Sequence, residues 1–518
     1  MTAFGSPRAG APLRGAGLSV ERLRREGEEF FRAISREYYE SGAGLKLEPA
    51  LQPVYAAHAQ ILGDDALALV LERFRDAAEG SEERRSSRML ADWLVEAQSA
   101  RALAPLDERQ LAWEASAMVT LPDGRQLAYQ RASIEMANAA DRRERLAVER
   151  ARGALIQREL APMRLERLQR ERDITMRLGL APSYRDTWEL LSGIRLEPLR
   201  AQCEAFLRDT APMWDDVLAP ALRKTLGITR GEATRGDALA FFRVPGFDAA
   251  FPPTAMQDAV LRQVREMGVD PLANGRVRLD TAERDGKRAR AFCAPVRVPE
   301  EVHLVLRPMG GQRDWGTFLH ELGHALHFAY MRPDLPAEYR WLGDNSVTEG
   351  FAMLFDHRMH DAKWLGRYTG LGTKVPEFRR TIALEELHFV RRYCAKLLYE
   401  LELMADDVNW RTLPDRYVQL LTDATGFQYD VSEALVDVDR WLYVVRYLRA
   451  WQLQALFNDT LTERYDDDWW RNPRAGPWIV SALWGEGQRE LADEMAMRVS
   501  GKPLDFAPVI RAIEAMLA

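Results

Sequence analysis

Apolar positions recur every three to four residues, with charges between them, from about Leu18 to Leu111, a helical period. The segment Ala66 to Phe74 is typical: Leu67, Leu69, Val70, Leu71 and Phe74 are its core candidates. The period then changes. Met118 to Leu121 and Gln126 to Tyr129 flank Pro122-Asp123-Gly124, which is turn chemistry and predicts a hairpin. A charged helical stretch follows over roughly Ile134 to Leu178, its Glu and Arg residues suited to an exposed face. Further helices are predicted at Pro198 to Thr210, Ala211 to Thr225 and Thr254 to Met267.

Between Val277 and Leu306 the pattern becomes short and strand-like. Val277-Arg278-Leu279, Ala291-Phe292-Cys293 and Val302 to Leu306 are separated by Gly286 and Pro295. Beyond Asp314 the helical period resumes almost to the end, and no solenoid-type repeat is visible. The expected fold is therefore mostly α, with a small β element in the middle of the chain. The expected organisation is a flexible segment at 1–17, a first helical lobe at 18–195 and a second at 196–518.

Composition narrows the function. The chain has 518 residues, 47 % hydrophobic and 29 % charged, enough to bury a large core. Its net charge of −7, and the alternation of Arg with Glu between Arg143 and Arg152, argue against a nucleic-acid binder. The cysteines, Cys203, Cys293 and Cys394, are odd in number and far apart, which fits a reducing compartment better than a disulfide framework. The first twenty residues lack the apolar run of a signal peptide, and no stretch reaches the ~18–20 apolar residues of a membrane span. A cytoplasmic protein, off the membrane and monomeric or weakly oligomeric, is expected.

The chemistry is concentrated near position 320. Five of the eight histidines lie between 320 and 360. In the run His320-Glu321-Leu322-Gly323-His324, a helix places both imidazoles on one face one turn apart, able to bind one metal ion at ~2.0–2.1 Å. Glu321 then lies roughly a quarter-turn round by the ~3.6-residue period, placed to act as a general base on water rather than as a ligand. Asp314 is the expected N-cap of this helix.

A catalytic zinc takes three protein ligands. The metzincin spacing fails, since positions 327 and 330 are His and Tyr rather than Gly and His. After breaks at Pro333 and Pro336 a new helix is predicted near Ser346, and it carries Glu349. Two roles stand open for Glu349: third ligand, or half of a capping box with Ser346. Asp356, two turns on, is a candidate to orient an imidazole or a plain surface acid. His327 is a candidate for an orienting or packing role, and His327 and His357 are the available fourth ligands of a structural site.

The string His-Glu-Leu-Gly-His-Ala-Leu-His at 320–327, with Glu349 twenty-five positions after His324, resembles the thimet oligopeptidase / oligoendopeptidase F family of zinc peptidases. Asp280, Asp285-Gly286-Lys287 and Ala291-Phe292-Cys293 resemble that family's approach to its metal helix. The resemblance runs over roughly 180–510, is strongest at 280–360 and is faint in the first hundred residues. It implies two helical lobes enclosing a deep channel with one zinc ion (Zn2+) at its floor, reached by short peptides. It implies His320, His324 and Glu349 as ligands and Glu321 as base. It also implies a tyrosine-rich segment facing the metal, matched here by Asp439 to Tyr447, with Tyr443 and Tyr447 as oxyanion donors. This segment has fewer tyrosines than the family pattern and no His lies between 389 and 518, so Arg440 or Arg446 is the substitute cation to examine.

The expected reaction is hydrolysis of short peptides by a zinc-dependent oligopeptidase. The alternatives are a metallocarboxypeptidase or dipeptidyl carboxypeptidase on a related scaffold, for which Arg440, Arg446 and Arg449 are candidate grips on a substrate C-terminus, and a non-catalytic helical protein with a structural metal.

Overall fold

The computed structural model describes residues 18–518; the expected flexible segment at 1–17 lies outside them. Helices dominate the described chain, so the fold is mostly α, with five short strands. Among the described residues no helix is long and apolar enough to cross a membrane.

The first helix, α1 (Val20–Gly42), is capped by Ser19, which accepts from the Arg22 N–H. A 35-residue helix, α2 (Glu82–Ser116), is capped by Ser81 in the same way. The predicted hairpin follows as β1 (Met118–Thr120) and β2 (Gln126–Ala128), paired antiparallel with Val119 opposite Leu127. The charged stretch beyond it is not one helix. It breaks after Ala132–Asn138, and Asp141 caps a new start by accepting from the Arg143 N–H. A side-chain acceptor satisfies a backbone donor locally there, and the charge pattern alone does not reveal the break.

The central β element is β3 (Val277–Asp280), β4 (Phe292–Arg297) and β5 (Glu301–Val305), in the spatial order β3-β5-β4. β5 is buried throughout, parallel to β3 and antiparallel to β4. Lys287 shapes the loop ahead of β4: its buried ammonium donates to the Asp280 and Ala282 carbonyls at 2.9 and 2.8 Å and to Asp280 Oδ1 at 3.1 Å.

Four helices carry the remaining argument: α3 (Gln312–Tyr330), α4 (Asn345–Asp356), α5 (Val375–Leu403) and α6 (Val444–Tyr465). One core joins Trp315, Phe318, Leu322 and Leu326 of α3 to Val347, Phe351 and Leu354 of α4 and Leu453 and Phe457 of α6. A second surrounds Leu387, Val390 and Leu397 of α5 and includes Trp188, Phe206 and Trp214. A third joins Leu23 and Phe30 of α1 to Leu90, Trp93 and Leu94 of α2. Ion pairs tie α1 to the central region: Arg24 to Glu338, Glu28 to Arg340 and Arg36 to Glu301.

Two glycines set how closely the helices around α4 approach. A Cβ on Gly323 would lie 2.7 Å from Ala352 Cα and 2.9 Å from the Phe351 carbonyl oxygen. A Cβ on Gly350 would lie 3.0 Å from Leu453 Cδ2. The glycine between the two histidines thus lets α3 lie directly against the α4 backbone, which brings residues of α4 within reach of His320 and His324.

Candidate metal centre

α3 begins three residues earlier than an N-cap at Asp314 would place it. Gly311 is the N-cap, and Asp314 lies in the first turn, where Oδ2 accepts from the Met309 and Gly310 N–H groups. The carboxylate still serves the helix start, because orphan donors and the helix dipole both favour an anion there.

His320 and His324 face the same way, with ring centroids 4.9 Å apart. Each ring is held through Nδ1: His320 by Asp356 Oδ2 at 2.8 Å, His324 by Thr348 Oγ1 at 2.9 Å. With Nδ1–H donating, each neutral ring would offer its Nε2 lone pair to a metal ion. Both point at one oxygen, Glu349 Oε2, which is 3.4 Å from His320 Nε2 and 3.7 Å from His324 Nε2. That oxygen is buried and has no hydrogen bond.

Three acceptors converging on buried space repel one another unless a cation sits between them. Ligands ~2.0–2.1 Å from a tetrahedral zinc would be ~3.3–3.4 Å apart, close to the two separations observed. The residues present therefore fit such an ion. The surrounding field favours positive charge in the same way. With no ion between them, burial disfavours an imidazolium at His320, but the Asp356 and Glu349 carboxylates outweigh it and raise its pKa to about 10, so a bound cation would take the place of that proton. Burial brings His324 down to about 4, which leaves its lone pair free.

Glu349 is not half of a capping box. Asp344 caps α4, accepting from the Ser346 N–H at 2.9 Å, and the Glu349 side chain turns to the two histidines. Asp344 has a second task. It is fully buried between Arg446 and Arg449 of α6 and also accepts from the Ala492 N–H, so it locks the start of α4 to α6.

Glu321 leans toward β4, where Oε2 accepts from the Cys293 N–H at 2.9 Å. A backbone amide on the outer strand thus fixes the carboxylate without neutralising it. Burial pushes its proton affinity above the ordinary carboxyl range. Arg290, exposed just ahead of β4 and without an ion pair among the described residues, acts on both Glu321 and Tyr447 by its field. Neither the Cys293 amide nor Arg290 belongs to a spacing pattern that sequence reasoning tracks.

The two tyrosines pack edge to face, ring centroids 5.1 Å apart. The Tyr443 hydroxyl donates to Glu349 Oε1 at 3.1 Å. The Tyr447 hydroxyl makes no hydrogen bond to the described protein, while its ring packs on Tyr393. Arg440 and Arg446 are both engaged elsewhere, with Asp107 and Asp344 respectively, and Arg449 pairs with Asp344 and Asp493. Each of the three thus pairs with a carboxylate of the protein, Arg440 from an exposed position.

His327 lies in the core, its Nε2 3.4 Å from the Gly487 carbonyl and its ring edge-on to Phe351, and burial lowers it to about 3. His357 is held by Asp356 and Glu386. Neither joins the group of possible ligands formed by His320, His324 and Glu349. No family model matches the chain, and no curated protein matches it.

Proposed function

We propose that the protein is a zinc-dependent peptidase acting on short peptides, of the thimet oligopeptidase / oligoendopeptidase F type. The observation that carries this reading is the convergence of two imidazole nitrogens on the unpartnered Glu349 Oε2, with Glu321 held alongside by a backbone amide. His320, His324 and Glu349 would hold the ion. When bound, zinc supplies a Lewis acid and acidifies water to a pKa near ~7.

The chain's own residues account for the remaining steps. Glu321, raised by burial, takes a proton from the attacking water and passes it to the departing amine. Cys293 N–H keeps one oxygen of that carboxylate fixed and leaves the other for proton transfer. Tyr447, with its hydroxyl uncommitted, donates to the developing oxyanion, while Tyr443 steadies Glu349. The two-lobed channel and the cytoplasmic location belong to the same proposal.

The test is Glu321→Gln, assayed for zinc content and for cleavage of a quenched fluorescent peptide. Zinc content is expected to stay at the wild-type level while cleavage disappears. Normal turnover by this variant would remove Glu321 from the mechanism.

A further inference from the structure

A second cluster lies beyond Asp356. His357 and His360 occupy a single 3-10 turn, His357–His360, and at three residues per turn side chains three apart eclipse one another. Their ring centroids are 4.4 Å apart. Glu386 reaches them from α5: Oε1 is 2.9 Å from His357 Nε2, and Oε2 is 2.8 Å from His360 Nδ1. The three side chains are 13 %, 19 % and 7 % exposed, so the cluster is enclosed but within reach of solvent.

Its construction repeats that of the first cluster. Asp356 is shared: Oδ2 holds His320 Nδ1, and Oδ1 holds His357 Nδ1 at 2.5 Å. In each cluster one imidazole is turned by Asp356 so that Nε2 faces a glutamate on another helix. In each, one oxygen of that glutamate takes a hydrogen bond and the other takes none. Glu386 Oε2 is buried and unpartnered, close to His360 Nδ1 but not aligned for a hydrogen bond. At that angle the pair gains little as a hydrogen bond, which leaves the Glu386 Oε2 lone pairs open to a cation.

Charge points the same way. Asp356 and Glu386 place two carboxylates around His357, and Asp356 also faces His320. The nearby Arg358 acts on Asp356 by its field and pairs with Asp361 at 3.7 Å. Its guanidinium donates to the Leu354 carbonyl and Asn458 Oδ1 and lies over the Trp469 ring. Carboxylates gathered in an enclosed site are costly unless balanced, and a metal dication held between these side chains would add balancing charge.

We propose that His357, His360 and Glu386 form a second binding site for a divalent transition-metal ion of the zinc class, joined to the first through Asp356. One ligand atom from each of the three residues lies within 4.8 Å of the other two, and the atoms facing one another are His357 Nε2, His360 Nδ1 and the Glu386 carboxylate. Two imidazoles and a carboxylate suit zinc, cobalt or nickel rather than calcium or magnesium. Binding releases the His357 Nε2 proton to solvent and spreads the ligand set toward the ~3.3–3.4 Å edges of a tetrahedron, so affinity falls in acid.

The experiment counts metal. The full-length chain is stripped with a chelator and titrated with Co2+, and cobalt is counted by elemental analysis and by its visible absorption. Wild type is expected to bind two equivalents, His360→Asn one, Glu386→Gln one, His324→Asn one and the His324→Asn/His360→Asn double variant none. The near-isosteric Glu386→Gln carries the test should His360→Asn fail to fold by circular dichroism. A single equivalent in wild type that persists in His360→Asn and Glu386→Gln overturns the second site and leaves the first intact. A single equivalent that persists in His324→Asn but is lost in His360→Asn and Glu386→Gln supports the second site and removes the first instead.

Discussion

Replacing Asp344 separates two contributions that meet in one carboxylate: the cap on α4 and the partner of two buried arginines. Arg446 and Arg449 are 6 % and 4 % exposed. Arg449 keeps Asp493 after the change, whereas Arg446 loses the one ion pair it makes among the described residues and keeps only the field of the buried Asp92. Removing one member of a buried ion pair costs about 3–5 kcal/mol, because the survivor remains desolvated. Asp344→Asn retains a cap and should lose about 3 kcal/mol from that charge effect. Asp344→Ala loses the cap as well, a further ~1 kcal/mol. The measurement is urea unfolding followed by tryptophan fluorescence.

The pH dependence has a definite sign. Burial alone would raise the Asp344 pKa, but Arg446 and then Arg449 outweigh it and hold the carboxyl well below its usual range. Its stabilisation is therefore complete above the unfolded-state pKa of ~3.9 and is lost as pH falls through the lower folded value. The gap between wild type and Asp344→Asn should be constant near neutrality and narrow below pH ~4. An Asp344→Asn protein within ~1 kcal/mol of wild type at neutral pH would refute the claim that Arg446 depends on this carboxylate.

Asp356→Asn should weaken zinc binding about 10–100-fold, read by competition with a chromogenic chelator, because it loosens the His320 ring without removing a ligand. Tyr447→Phe should lower kcat by about 10²–10³ with zinc affinity unchanged, whereas Tyr443→Phe should also weaken zinc binding; the reverse assignment would exchange the two roles. Gly323→Ala should destabilise the fold by about 1–3 kcal/mol in thermal or chemical unfolding, because the new methyl strikes the α4 backbone. A neutral Gly323→Ala would mean that α3 and α4 are not pressed together.

Much of the site is local to one helix, and that part was legible from spacing alone. His320 and His324 share a face by the helical period, and Glu321 is set off to the side; the β element ahead of α3 and the hairpin at Pro122-Asp123-Gly124 were likewise plain. Choices between neighbouring residues were not. Asp344 rather than Ser346 caps α4, because polar residues near a helix start compete for the same donors, and Gly311 rather than Asp314 precedes α3, the Asp314 carboxylate accepting from Met309 and Gly310 N–H groups ahead of it. Contacts between elements were further out of reach. That Glu349 faces the histidines, that Arg446 is committed to Asp344, and that Glu386 meets His357 and His360 depend on how closely helices distant in sequence pack. Periodicity specifies neighbours within about one turn. Where two elements touch is decided by side-chain volume at the contact, here the missing Cβ of Gly323 and Gly350, and by which buried charges can find partners once the core has closed.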